Sequence, residues 1–541
     1  MKDKTSLKNS KYKKYLPLYI GLALAIGVLL GSKLNFSDTT EKIFATNSKK
    51  DKLNRLIDYI DYEYVDSINT DSIVDVTVHG ILKNLDPHSI YIPKKAYEHN
   101  ADDMRGAFIG IGVSFYIYND TIAVIRSIKG GPAAKAGIKG GDRIISADGR
   151  KLFGNIADRD SISKFLKGEA NSKVSLKVYR PSADKVLEFS LRRKQVPLVS
   201  VDASYVIEDK LGYIKINRFS ETTFKEFKSA LDELQDKGIE KLVLDLRDNP
   251  GGYISTAERI VDEFLEKDKL VLITKNKSGD INKTYATRRG DFEHGKLYVL
   301  INENSASASE IIAGALQDND KGTIIGRRSF GKGLVQREMS LGDGSAVRLT
   351  IARYYTPTGR SIQRPYNNGI NSYYNDYEKR YYNGELRHAD SIKVADSLKF
   401  TTPKGKVVYG GGGIIPDVFV PKDTSIENET LQYISKSGFM SYFIFEYLEK
   451  NRAVFKNMDF EAFRKNFKVD TNLIGEFITY ANFNEAEIDL SNYREQLKRT
   501  IKANIAQQLF GPNEFEIILN EKDPMLLKVL EMEATINSKN E

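Results

Sequence analysis

The sequence predicts a multidomain chain of mixed α/β and α+β class, with an α/β layer at its centre. Three observations carry this. Between 196 and 365, apolar strand patterns alternate with amphipathic helical ones, as in βαβ units. Between 105 and 195, short alternating strands are broken by glycine turns. Both flanks of these regions read as helical. With 541 residues the chain has room for roughly three to four domains of about 150 residues each.

Composition removes several classes of function. The chain has no cysteine, so disulfide frameworks, thiolate zinc sites and a cysteine nucleophile are excluded. The net charge is +8. Residues 1–14 hold Lys2, Lys4, Lys8, Lys11, Lys13 and Lys14 against Asp3, which gives +5 and leaves +3 for the rest. A basic N-terminal tail of this kind removes most of the case for nucleic-acid binding.

After the lysines comes an uncharged run over 15–32, YLPLYIGLALAIGVLLGS. Its length is near the lower limit for a transmembrane helix. It exceeds the apolar region of a cleaved signal, and no A-x-A-like site follows it. The pattern favours an uncleaved signal anchor over a cleaved one. The preceding lysines predict a cytoplasmic N-terminus, which puts the bulk of the chain outside the cytoplasm, in a periplasm. Residues 33–50 read as a linker.

Residues 51–104 read as a helical lead-in, with Leu53, Leu56, Ile57 and Ile60, then Ile73, Val76, Ile81 and Leu82, near helical spacing. Asp86-Pro87 ends the second helix. His79, His88 and His99 match no zinc spacing and read as solvent or turn histidines.

In 105–195, Ile111, Val113 and Phe115, then Ile122, Val124 and Ile128, mark strands. Pro132 opens a short helix that Gly137 closes. GDRIISADG is a strand ending in an Asp-Gly turn. The order GIGV, GGPAAKAGIKGGDRIISADG, KVSLKVYR resembles a PDZ domain of the kind found in bacterial proteases. Such a domain adds an extended peptide to a sheet edge and seats its terminal carboxylate on backbone N–H groups. Here that turn would be Gly110-Ile111-Gly112.

The centre of the chain, 196–422, carries the chemistry. KLVLDL is a near-continuous apolar run, as in a parallel strand covered on both faces. RDNPGG follows it, and NENSASAS follows LYVLIN. Reactive groups collect at such strand ends. Ser307 opens a helix, and Ser307-x-x-Glu310 fits a capping box, which by itself is a structural role. Ser305 and Ser309 compete for any special role. The helix start offers free N–H donors for an oxyanion, that of Ala308 among them, and Gly251-Gly252 offers another. A serine needs a base, and histidines here sit in no triad-like motif. Lys332, between Gly331 and Gly333, is the candidate. It works only if burial keeps its amine neutral. Gln336, four residues on, holds that amine without adding charge.

LVLDLRDNPGG, NSASASEIIAGALQD and GRRSFGKGLVQ, with LDPHS (Leu85 to Ser89), TPTGRSIQ and GIIPDV, resemble the C-terminal processing (tail-specific) peptidases. The likeness runs over about 50–420. It implies a crotonase-like α/β protease core with an inserted PDZ domain. It also implies Ser307 as nucleophile, Lys332 as base and Gln336 as its partner. The oxyanion hole would use Ala308 and a glycine of the Gly251-Gly252 pair, with the choice between them open. No metal or other cofactor is implied. A trypsin-fold protease would need a histidine–aspartate–serine arrangement that the sequence lacks.

Residues 366–400, rich in Tyr and Asn, read as a surface insert. Residues 423–541 read as a helical C-terminal domain without a motif, a candidate for covering the site, joining two subunits into a homo-oligomer or adding stability. The expectation is a membrane-anchored periplasmic serine endopeptidase acting on proteins with exposed C-terminal tails. The competing reading is a non-catalytic PDZ tail-binding scaffold.

Overall fold

The computed structural model describes residues 15, 17–26, 48–154, 159–208, 210–367, 369–483 and 491–540. The chain divides into two compact units, Met1–Gly80 and Ile81–Glu541. In the first, Ser48–Glu63 and most of Thr70–Leu82 are helices. The helix begins at Ser48, so the expected linker stops short of 50. Residues 1–14 lie outside the described residues. Of the expected span 15–32, Tyr15 and 17–26 are helical and the others lie outside the described residues. Among the described residues no helix is long and apolar enough to cross a membrane.

The second unit is built on a six-stranded sheet. Its order is Val201–Glu208, Leu211–Ile216, Lys241–Asp245, Lys296–Ile301, Gly322–Gly326, Val418–Phe419. The first pair is antiparallel and the others are parallel. Helices Thr223–Asp236, Ile254–Asp262 and Ala308–Asp318 cover one face, against Ile214, Leu244, Val299 and Ile324. The other face shows Tyr213, Val243, Tyr298, Leu300 and Ile325. There Met525, Leu526 and Val529 of the helix Pro524–Asn540 are buried. This explains why KLVLDL is apolar on both faces. It also corrects the domain reading, because the last helix of 423–541 is a layer of the α/β core. Each of those three side chains contributes roughly 1.5–3 kcal/mol by burial.

A second, antiparallel sheet joins Ile90–Ile92, Ala346–Tyr355, Leu270–Asn276 and Ile281–Tyr285, with Leu334–Ser340 also on Ala346–Tyr355. The lead-in over 51–104 is therefore not all helical. Its strand Ile90–Ile92 pairs with Ala346, Val347 and Arg348, and the helix Lys94–Arg105 follows.

The sheet of the PDZ region runs Val113–Tyr118, Thr121–Ser127, Arg143–Ala147, Lys173–Arg180, Lys185–Arg192. Ile111 and Ile128, placed on strands by alternation, lie just outside them. Pro132 opens the helix Pro132–Ala136, and Gly137 closes it at φ +85°. Val113, Phe115 and Ile117 pack inward. Their neighbours Tyr116 and Tyr118 face the other way and pack edge-on against Phe445, with ring centroids 5.4 and 5.3 Å away. Phe445 belongs to Phe439–Phe455 of a helical domain with its own core. An Arg143–Glu449 ion pair closes that contact.

The insert, expected at the surface, is only partly so. Its helices Ile370–Tyr374 and Asp376–Tyr382 bury Tyr373 and Arg380. Arg380 Nη1 donates to the carbonyls of Arg328 and Ser329, and Glu385 accepts from Arg328 Nε at 2.6 Å. Buried cations require such partners, and the Arg328 and Ser329 carbonyls belong to the loop that carries Lys332.

Candidate active site

Parallel pairing sets the strands Lys241–Asp245 and Lys296–Ile301 side by side, so the loops at their carboxyl ends meet. Two of the three serines are consumed in joining them. Ser305 Oγ donates to the Leu246 carbonyl at 2.8 Å and accepts the Asn302 N–H at 3.0 Å. Ser309 Oγ donates to the Asn249 carbonyl at 3.0 Å. Both are fully buried. The middle serine is different. Ser307 takes φ +56°, ψ −112° at the start of Ala308–Asp318, a conformation that a non-glycine residue adopts only under constraint.

The constraint is visible. Glu310, fully buried, accepts the Ser307 N–H at 2.8 Å and the Lys332 N–H at 2.9 Å on the same oxygen, Oε2. Its Oε1 accepts from Gly331 N at 2.7 Å and Ser329 Oγ at 2.5 Å. Burial pushes the Glu310 carboxyl up, and the four donors work against that shift. The Tyr354 hydroxyl adds a second link, 3.0 Å from the Ser307 carbonyl oxygen and 2.5 Å from that of Lys332. The serine turn and the lysine loop are thus one piece.

Gly251 lies against that turn. A Cβ there would be 2.8 Å from Ser307 Cβ and 3.0 Å from the Ala308 nitrogen. Its own N–H, however, donates to Asn249 Oδ1 at 2.9 Å. The next N–H, of Gly252, donates to no group among the described residues, and the same holds for Ala308. Among the described residues, then, the Ala308 and Gly252 N–H groups have no acceptor, while that of Gly251 has one. Gly252 sits at φ +151°, with its would-be Cβ 2.1 Å from the Phe219 carbonyl oxygen, so no side chain fits.

Lys332 Nζ donates to Gln336 Oε1 at 2.7 Å. Burial, and then the charge of Arg348, lower its pKa to about 8, while Glu310 and Asp86 oppose the shift. Gln336 Nε2 in turn donates to the His88 carbonyl. Among the described residues no hydrogen bond joins Lys332 Nζ to Ser307 Oγ. Such bonds are often long in unliganded sites and tighten with substrate.

Residues around His88 were missed as site residues. LDPHS figured in the sequence pattern, but no role followed from it. Asp86 Oδ1 accepts from the N–H of His88 and of Ser89, an Asx turn. It also accepts from Thr350 Oγ1 at 3.1 Å, and Thr350 is paired with Gln336 across the sheet. The His88 ring is a turn histidine, as read, but not a solvent one: burial, then the charge of Lys332, push its pKa down to about 3. Glu310 and Tyr354 were also missed as site residues; the capping-box spacing was the only signal for Glu310.

The Gly110-Ile111-Gly112 turn lies in the PDZ region. Gly110 ends a strand paired with Lys194–Pro197, and Ile111 is buried. The Ile111 carbonyl accepts from Ala133 N at 2.8 Å and that of Gly112 from Ile128 N at 2.9 Å. Gly112 has φ +80°, which requires glycine or costs strain. Among the described residues no cluster fit to hold a metal ion is found.

Residues 210–372 match the model of peptidase family S41, and 110–191 match that of the PDZ domain. A carboxy-terminal-processing protease of Bartonella bacilliformis is 35% identical over 345 residues, covering 62% of this chain and 78% of that protein. The chain belongs to peptidase family S41. Residues 110–191 thereby add a PDZ domain, a domain type that pairs extended peptides with a sheet edge. Carboxy-terminal processing protease CtpB of Bacillus subtilis (strain 168) is 37% identical to this S41 peptidase over 320 residues, 58% of this chain. The match spans 65% of CtpB, just under two thirds of its length. Among solved structures, a photosystem II D1 C-terminal processing protease matches over 68% of this chain and 86% of its own, with 25% identity and a TM-score of 0.35. Residues 430–511 match a family of unknown function.

Proposed function

We propose that this S41 peptidase is a membrane-anchored endopeptidase, working outside the cytoplasm on proteins with exposed C-terminal tails. Ser307 Oγ attacks the scissile carbonyl carbon and passes its proton to the neutral Lys332 amine. The N–H groups of Ala308 and Gly252 receive the oxyanion. As the C–N bond breaks, the Lys332 ammonium returns the proton to the leaving amine. A water then attacks the acyl-serine ester with Lys332 again as base, which releases the new C-terminus and restores Ser307.

The observation that carries this reading is Ser307 held at φ +56° against the Gly251-Gly252 turn, with the Ala308 and Gly252 N–H groups bonded to no described residue, in one piece with a lysine whose amine is bound to a neutral amide. The lysine-rich 1–14 and the apolar 15–32 support the anchor and its orientation. The test is cleavage of a peptide with an apolar C-terminus. Wild-type protein is expected to cleave it, Ser307→Ala and Lys332→Ala to be inactive yet folded, and amidation of the peptide C-terminus to weaken its capture. Full activity in Ser307→Ala would sink the assignment. Deletion of 1–32 is expected to move the protein from the membrane to the soluble fraction.

A further inference from the structure

The insert helix Ile370–Tyr374 lies on the turn 86–89, and that turn touches the partner of the base. The contacts form a chain. The Tyr374 hydroxyl donates to the Pro87 carbonyl at 2.6 Å. The Tyr373 hydroxyl is hydrogen-bonded to His88 Nε2 at 2.8 Å. The His88 carbonyl accepts from Gln336 Nε2, and Gln336 Oε1 accepts from Lys332 Nζ at 2.7 Å. An amide has one oxygen and one NH2 group. The carbonyl at position 88 therefore fixes which end of Gln336 faces the amine. If that carbonyl moves away, the amide is free to turn or leave, and water reaches the lysine.

The remainder of the 86–89 turn does not fix the carbonyl alone. Asp86 holds the N–H groups of the turn and its link to Thr350. The ring and the Pro87 carbonyl are held by the two tyrosines. Tyr373 is itself braced, since Arg364 stacks between it and Phe330, 3.9 Å from each ring. Phe330 N donates to the Ser305 carbonyl at 3.0 Å, so the brace starts from the serine turn.

We propose that Tyr373 and Tyr374 of the insert are positioning residues for the general base, acting through the 86–89 turn and Gln336 on Lys332. This deepens the Ser–Lys reading and rests on it. The insert is thereby a working part of the site. Among the described residues its tyrosines form no hydrogen bond with Ser307 or the amine. They keep Gln336 aimed and the lysine dry, and so keep the amine available as a base near neutral pH. The charged and titratable groups facing Lys332 in this arrangement are Asp86, His88, Glu310 and Arg348.

The test is the pH–rate profile of full-length Tyr373→Phe, Tyr374→Phe and the double variant on a tail peptide. At both positions phenylalanine removes only the hydroxyl, and at 373 it keeps the ring beside Arg364. In the double variant kcat is expected to fall about tenfold near pH 7.5, as for the loss of about one hydrogen bond's worth of positioning. The loss is expected to shrink towards pH 10, because a wetter Lys332 titrates nearer its ordinary range. KM is expected to stay within about twofold, because no substrate contact is removed. In a Gln336→Ala background the same substitutions are expected to add nothing, as residues acting through one partner are non-additive. Wild-type kcat and pH midpoint in the double variant overturn the proposal, as does full additivity with Gln336→Ala. Ser307→Ala separates the two levels. If it cleaves at the wild-type rate, the Ser–Lys reading itself fails. If it is dead while the tyrosine variants are normal, only the positioning role fails.

Discussion

Glu310 accepts the main-chain N–H of Lys332 at 2.9 Å, across 22 residues of chain. The same oxygen holds the N–H of Ser307. A glutamine there would turn one of its two ends from acceptor to donor, against groups that are all donors. Glu310→Gln is expected to lose more than tenfold in kcat and about 1–3 kcal/mol of stability, the cost of unsatisfied buried donors. Steady-state cleavage and denaturant unfolding of the same preparation check both.

The rate of the wild-type enzyme is expected to rise with pH, half-maximal near the value of about 8 to which Lys332 is lowered. Arg348 contributes to that lowering, so Arg348→Gln raises the lysine pKa and moves the half-rise to more alkaline pH. The expected sign is a slower enzyme at neutral pH and an unchanged plateau. A rate that is flat from about pH 5 to 9 would count against Lys332 as base.

Lys332 also has a thermodynamic signature. Its folded-state pKa lies below the ordinary 10.5, so charging it costs folding free energy. That cost is complete below about 8, declines as pH rises and is gone above 10.5. Lys332→Met keeps the length of the side chain and removes the charge. It is expected to be inactive and about 1–2 kcal/mol more stable at pH 7, after allowance for the lost Gln336 bond. Urea unfolding at neutral and strongly alkaline pH checks it, since the gain vanishes at the alkaline end.

Gly252→Ala places a methyl on the Phe219 backbone, 2.1 Å from its carbonyl oxygen if nothing moves. The peptide plane that carries the free N–H must then shift. A loss of about 100-fold or more in kcat is expected, the usual cost of one oxyanion donor. Asn249→Ala frees the Gly251 N–H that Asn249 Oδ1 holds, and is expected to cost less. Equal and small losses in the two would remove Gly252 from the oxyanion hole.

Arg247 of the RDNPGG loop reaches Asp523 at 2.6 Å, next to the helix that covers the rear of the core sheet. Asp523→Ala leaves Arg247 paired with Asp245 alone. It is expected to lower both melting temperature and kcat, by about 1–2 kcal/mol of stability for a charge-assisted bond. Calorimetry beside peptide cleavage checks whether a change so far along the chain reaches the oxyanion loop.

The candidate site was legible in side-chain types and spacing as far as its three named side chains go. Ser307, Lys332 and Gln336 announce themselves because their chemistry lies in their side chains and their neighbours are glycine and alanine. The support around them could not be read this way. Gln336 is oriented by the His88 carbonyl, and every residue has a carbonyl. The buried roles of Tyr373 and Arg380 depend on a fold-back that no local pattern encodes, so a tyrosine-rich stretch looked like surface. Ile90–Ile92 is too short to show alternation. The helix Pro524–Asn540 shows how a core layer hides: its partner strands lie from about one hundred to about three hundred residues earlier, and only their apolarity on both faces hinted that a cover existed.

The outward tyrosines of the PDZ sheet bear on recombination between relatives. Tyr116 and Tyr118 pack on Phe445, and Arg143 pairs with Glu449. A PDZ module transplanted from another peptidase to alter tail preference would bring a different outer face. Unless those three positions travel as a graft within the donor module, the chimera exposes the aromatic surface of the helical domain. If tails are held on the edge and turn, as proposed, their preference and the seat of the module on the face behind are separable by design.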